Sequence, residues 1–167
     1  MVQIDAYKLL YVSEGTILEL VADIRDESWF TPLPGLGRSF DWVLGHYAAV
    51  EDWFLHHLND IPYELSPQWQ DTYWDDDSHP VDPATGIGRK AITAGFQATR
   101  QRLFSALKWD VFHLNRCVQP GFFPPAVKTR GDAWLFVSAH AYWHIGELQT
   151  LRSMLGYPFE KSRGIHH

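Results

Sequence analysis

The sequence predicts an all-α fold: a single four-helix bundle with long crossover loops. Four segments repeat apolar residues at spacings of three and four, the period of a helix with one buried face, and no run alternates as a half-buried strand does. Between these segments lie stretches dense in Pro, Gly and Asp, where no helix persists. At 167 residues the chain has the length of one domain with one core, taken as 1–167 with the bundle proper over about 5–157.

The first helix is expected from Asp5, as N-cap, to Glu27, with Tyr7, Leu10, Tyr11, Ile17, Leu18, Val21 and Ile24 inward. The run Thr31-Pro-Leu-Pro-Gly-Leu-Gly37 breaks it. A second helix spans Ser39 to Leu58, with Val43, His46, Tyr47, Val50, Trp53, Phe54 and His57 facing in. The stretch from Asn59 to Gly88 reads as one long irregular crossover, long enough to let two helices lie parallel. A third helix covers Arg89 to Leu107, with Ile92, Phe96, Thr99, Leu103 and Leu107 inward, and residues 109–131 form a loop. The fourth starts at Asp132 as N-cap and stops at Gly156, with Pro158 just beyond.

Composition narrows the function. The net charge is −6 and no basic block occurs, so there is no electrostatic footprint for nucleic acid or an anionic membrane. No stretch approaches the ~18 apolar residues of a membrane span, and the N-terminus places Asp5 and Glu14 where a signal core would be apolar. The one cysteine, Cys117, allows no intramolecular disulfide, which makes the cytoplasm the default compartment. His166 and His167 are read either as native or as the start of a purification tag, and stay outside the site.

The sharpest feature is His140-Ala-Tyr-Trp-His144 on the fourth helix. Residues four apart are about 40° apart around a helix and roughly 5–6 Å apart at Cβ, so both imidazoles can aim at one point. Their stripe is otherwise apolar, with Ala133, Val137, Leu148, Leu151 and Leu155. Two neutral rings buried side by side need partners for their nitrogens, and a divalent metal supplies one by accepting a lone pair from each. His46, inward on the second helix, would be the third ligand, leaving open positions as in a catalytic site. The competing reading makes these histidines hydrogen-bonded core residues. The pair is no zincin motif, because Ala141 stands where that motif needs Glu. Asp75-Asp76-Asp77 lacks calcium-loop spacing, and Gly86-Ile87-Gly88 lacks a preceding strand.

The segment His140-AYW-His144-IGELQTLRSMLG156 resembles the last helix of the DinB-like family, where HxxxH is followed by Gly, a polar residue and a Leu-Arg pair. Phe40-DWVLG-His46, with Glu51 and Trp53 downstream, resembles that family's second helix, and the likeness extends over about residues 5–157. The resemblance implies zinc, nickel or iron on His46, His140 and His144 inside a four-helix bundle, commonly in a homodimer. It also implies kinship with transferases that use low-molecular-weight thiols (bacillithiol, mycothiol or glutathione), with a mycothiol-dependent isomerase, and with the iron-binding half of sulfoxide synthases. The damage-inducible name, with its link to stress, describes regulation of a relative and not chemistry.

The leading expectation is therefore a metal-dependent transferase that joins a low-molecular-weight thiol to a small electrophile. Its rivals are a metal-dependent hydrolase acting through water and a non-catalytic, stress-related metal-binding dimer. Glu147, three residues after His144, is the candidate catalytic base; the alternative pairs it with Arg152 or solvent. Glu51 follows His46 by five residues, about 140° around the helix, and reads as structural. His56 is expected to face solvent, His113 and Cys117 belong to the 109–131 loop, and Trp143, Tyr142, Trp53 and Tyr47 are candidate pocket walls.

Overall fold

A computed structural model of the chain describes residues 2–35, 37–74 and 87–157, with side chains from Ala6 onward. Asp75-Asp76-Asp77, Gly86, Pro158, His166 and His167 lie outside the described residues. The described chain is all helical, with α1 (Val2–Ala22), α2 (Asp26–Trp29), α3 (Phe40–Asn59), α4 (Pro67–Tyr73), α5 (Arg89–Asp110) and α6 (Arg130–Met154). A single antiparallel bridge between Cys117 and Thr129 pins the α5–α6 connection.

The four long helices form the bundle, and their side-chain pairings fix its topology. Along α1 and α6, Ala6 meets Ser138, Leu9 meets Tyr142, and Leu20 and Asp23 meet Arg152, so these two helices run parallel. Tyr47 against Phe96 and Glu51 against Arg100 make α3 and α5 parallel as well. Leu10 and Ser13 meet Arg100, whereas Val21 and Ala22 meet Arg89, which makes α1 antiparallel to α5. A parallel pair cannot be joined by a tight turn, and the long 60–88 crossover between α3 and α5 serves that geometry.

Local chemistry accounts for the helix ends. Ser39 Oγ accepts the Trp42 N–H at 3.2 Å and starts α3. At α6 the N-cap is Thr129, which accepts from Asp132 N at 3.2 Å while Asp132 Oδ2 accepts from Thr129 N at 2.9 Å. Asp132 is thus the third residue of a capping box and not the cap itself. Likewise α1 already runs from Val2, so Asp5 lies within the helix. Arg89 donates to the carbonyls of Val21, Ala22 and Ile24, which satisfies acceptors left open where α1 ends. Gly156, at φ +77, follows α6 where the stop was expected.

Burial shifts two of the expected stripes. On α5, Ile92, Phe96, Thr99, Leu103 and Leu107 are all buried. On α1 the buried line is Ala6, Leu10, Ser13, Ile17, Leu20 and Val21, while Tyr7 and Tyr11 are 38% and 64% exposed. A tyrosine satisfies an apolar period yet keeps its hydroxyl wet at the flank of the stripe. On α3, Val50, Trp53 and His57 are only half-buried, whereas Glu51, Leu55 and Leu58 are buried. His56 is also half-buried, its Nδ1 3.1 Å from the Ile61 carbonyl oxygen and its ring stacked on Tyr63. Among the described residues no helix is long and apolar enough to cross a membrane.

The expected irregular crossover contains α4, and that helix shapes the site. Ser66 caps it and Pro67 occupies its first turn. Trp69 and Tyr73 lie across glycines of the neighbouring helices: a Cβ on Gly45 would meet the Tyr73 ring at 2.5 Å, and one on Gly95 would meet Trp69 at 2.4 Å. Trp69 Nε1 also donates to the Gly45 carbonyl at 2.9 Å.

Candidate metal centre

His46 on α3 and His140 and His144 on α6 converge in the bundle, with one nitrogen from each lying within 4.8 Å of the others. His46 and His144 are buried and His140 is half-buried. The ring centroids are 5.6 Å apart for His46 and His140, 5.0 Å for His46 and His144, and 4.4 Å for the α6 pair. The α6 geometry follows from the four-residue spacing. His46 arrives from the antiparallel neighbour at the same level.

Hydrogen bonds set the tautomers. His46 Nδ1 lies 2.8 Å from the Tyr73 carbonyl oxygen, which can only accept, so Nδ1 carries the proton and Nε2 a lone pair. His144 Nδ1 lies 2.5 Å from Glu147 Oε2. The other oxygen of Glu147 is paired with Arg38, so the carboxylate is anionic and His144 likewise keeps its proton on Nδ1. Burial acts to raise the Glu147 carboxyl, but the His144 hydrogen bond and the Arg38 charge outweigh it and hold it below the ordinary range. Burial, reinforced by His144, His46 and Arg100, drives His140 down to about 3, so its imidazole is neutral at physiological pH.

These assignments test the fit of a cation. His144 Nε2 and His140 Nε2 face each other at 3.0 Å. With His144 singly protonated and no ion, the short Nε2–Nε2 contact takes the one N–H of His140, which leaves a lone pair on its Nδ1; that atom is buried with no partner among the described residues. A divalent ion accepting three Nε2 lone pairs replaces the Nε2–Nε2 face-off, and imidazoles with bonded far nitrogens, as His46 and His144 have, are donors such an ion takes. The three histidines therefore fit a metal.

The walls are aromatic. Trp42 stacks on His46 at 4.6 Å and 12°, with the Arg38 guanidinium 4.6 Å from the same indole centre. Arg38 thus braces both arms, His46 through Trp42 and His144 through Glu147. Tyr47 lies edge-on to His144 at 5.5 Å and tilted to His140 at 5.8 Å. Trp143 is 72% exposed and Tyr142 40%, so they stand outside the centre. Trp53 packs on Trp74 and Phe123. Arg152, the alternative partner of Glu147, instead pairs with Asp23. Glu51, His56, His57, His113 and Cys117 are not in the histidine cluster, and Cys117 is exposed.

Asp41 anchors Tyr73 from behind. It accepts from Tyr73 Oη at 2.8 Å and from Trp29 Nε1 at 2.9 Å. Burial pushes its carboxyl up to about 6 against those two hydrogen bonds. The folded protein therefore holds a proton that the unfolded chain releases near 3.8. Asp41 favours folding most below pH 3.8, and that contribution is lost as pH rises through 6. In Asp41→Asn, denaturant unfolding across this window is expected to lose a pH-dependent term of up to about 3 kcal/mol.

Gly45 permits the contact that orients His46. Gly45→Ala drives a methyl into a Tyr73 ring that is tethered at both its hydroxyl and its carbonyl. Overpacking of this kind costs about 1–3 kcal/mol, offset by up to about 1 kcal/mol of helix propensity. Thermal unfolding is expected to show a net loss, together with weaker metal binding as the Tyr73 carbonyl leaves His46.

A helical bundle with three convergent histidines, two of them tautomer-fixed, has the donor set of a metal-binding bundle, and comparison with known proteins gives the family. The model of the DinB superfamily matches residues 9–148, and the chain belongs to that superfamily. Among solved structures, a conserved protein from Enterococcus faecalis is similar, at 18% identity and TM-score 0.69, over 90% of this chain and 95% of that one. YfiT from Bacillus subtilis is similar at 17% identity and TM-score 0.57, over 93% and 88% of the two chains. It is described as a probable metal-dependent hydrolase with an unusual four-helix bundle topology. At these identities the two structures establish a shared fold. No curated protein matches the chain.

Sequence reasoning missed Arg38, Asp41 and Tyr73. Ser66-Pro67, an N-cap followed by proline, was the available signal for α4 and so for Tyr73. Nothing in the sequence links Arg38 to Glu147.

Proposed function

We propose that this chain is a metal-dependent transferase, binding one zinc, nickel or iron through His46, His140 and His144, and joining a low-molecular-weight thiol to a small electrophile. The observation that carries the reading is the convergence of three imidazoles, two with their far nitrogens already bonded to acceptors. A divalent cation there supplies Lewis acidity, which lowers the pKa of a thiol or water nucleophile toward neutrality. The protein's own part is positional. Tyr73 and Glu147 hold two rings in the tautomer that presents Nε2, Arg38 locks Glu147, and Trp42 and Tyr47 pack against the rings.

A thiol cofactor suits a site without a nucleophile of its own. Exposed Cys117 sits on the α5–α6 connection, and Ser138 is buried and bonded to the Trp134 carbonyl. Both oxygens of Glu147 are engaged, so its role is to position His144 and not to abstract a proton. The second reading, hydrolysis by activated water, draws support from the description of YfiT. A homodimer, common in the family, is the assembly we assign to the transferase.

The test is cobalt substitution followed by addition of bacillithiol, mycothiol or glutathione. The transferase reading expects a thiolate-to-cobalt absorption band with one of them. An unchanged spectrum with all three, accompanied by ester or amide hydrolysis, supports the hydrolase. No thiol response and no turnover leave a structural metal.

A further inference from the structure

The outer hydrogen bonds of the centre are uneven. His46 and His144 each have Nδ1 bonded, at 2.8 and 2.5 Å, whereas His140 Nδ1 is buried without a partner among the described residues. A cation on Nε2 would place the His140 proton on Nδ1, and ligating histidines almost always donate that proton to something.

The groups beside it are also unsatisfied. Tyr47 stands 5.8 Å from His140, ring to ring, and its buried hydroxyl has no regular hydrogen bond. One turn further along α3, Glu51 pairs with Arg100 of α5 at 2.7 Å, both fully buried. That contact joins Glu51 Oε1 to Arg100 Nη2, while Glu51 Oε2 and Arg100 Nε have no partner among the described residues. Arg100 Nη1 is spent on α1, at Leu10 O and Ser13 Oγ. The Arg100 guanidinium carbon is 5.0 Å from the Tyr47 ring centre, and its charge acts on both Tyr47 and His140. Three helices thus bring N–H and O–H donors and a carboxylate acceptor to one interior region.

Buried polar atoms in folded proteins are hydrogen-bonded to protein or to ordered water, and one water serves about three of them. A water between His140 Nδ1 and Tyr47 Oη would give both buried atoms a partner. We propose that ordered water occupies this region, and that through it Tyr47 is a positioning residue for His140, completing the third outer hydrogen bond of the centre. The water follows from the polar atoms alone, and the positioning role rests on the metal reading above.

Two measurements decide it. A high-resolution crystal structure of the metal-free protein is expected to show water within hydrogen-bond distance of His140 Nδ1 and of Tyr47 Oη. Tyr47→Phe keeps the ring and is expected to bind zinc roughly 10–100-fold more weakly in chelator competition. Its cobalt spectrum should shift, with the metal-free form still folding cooperatively. A dry region at His140 Nδ1 overturns the proposal. So does a Tyr47→Phe protein with wild-type zinc affinity and a superimposable cobalt spectrum. A wild-type protein that binds no zinc overturns the metal reading and the positioning role together, and is distinguishable from failure of the variant alone.

Discussion

His140→Ala and His144→Ala are each expected to bind zinc or cobalt at least roughly a hundredfold more weakly than wild type, beyond the ~10–100-fold that loss of an outer partner costs. The reason lies in the donor count. Three nitrogens converge within 4.8 Å, and removing one leaves two histidines and solvent. The two variants should differ in stability. His140→Ala removes a half-buried ring whose Nδ1 has no direct partner. His144→Ala strips Glu147 of its hydrogen bond and leaves that carboxylate with Arg38 only. Without metal, His144→Ala should therefore melt lower than His140→Ala, and competition titration beside calorimetry reads both quantities.

Arg100→Leu is expected to destabilise the fold by about 3–5 kcal/mol, because it leaves the Glu51 carboxylate buried without its counter-charge. Both side chains are fully buried at 2.7 Å. Arg100 also joins α1 to α5 through Leu10 O and Ser13 Oγ, so the loss reaches across the bundle. Burial pushes the Glu51 carboxyl up, and the Arg100 charge opposes that rise. Without Arg100 the carboxyl escapes only by taking up a proton, so the defect should deepen as pH rises. The Glu51→Leu, Arg100→Leu double variant should recover most of the loss, since an apolar pair of similar volume often replaces a buried ion pair at no cost. Urea unfolding of the two single variants and the double variant at two pH values measures each term.

How much of this was legible in the sequence depends on how local the cause is. The α5 stripe is set by period alone, and all five of its expected inward residues are buried. HxxxH was legible because a four-residue spacing on a helix dictates that the two rings meet. Tyr7 and Tyr11 misled because a tyrosine satisfies an apolar period while its hydroxyl seeks water. On α3, Glu51 reads as structural, but its partner Arg100, 49 positions away in the chain, is set only by the packing of α5 on α3. What fixes the tautomers was not legible. The acceptor for His46 is a main-chain carbonyl, at Tyr73, and a carbonyl leaves no mark on residue identity. Arg38 and Glu147 are 109 residues apart and meet only through the antiparallel packing of α3 on α6. Gly45 has a local sign, a helix-interior glycine, whose cause is the distant Tyr73 ring.

The central claim is that His46, His140 and His144 together hold one divalent ion. Elemental mass spectrometry of the untagged protein, set beside His46→Ala, tests it most directly. The expected result is about one zinc, nickel or iron per chain in the wild type and none in the variant. A wild-type protein that is metal-free as purified, and takes up no zinc, nickel or iron on titration, would contradict the claim and return the three histidines to the core as hydrogen-bonded residues.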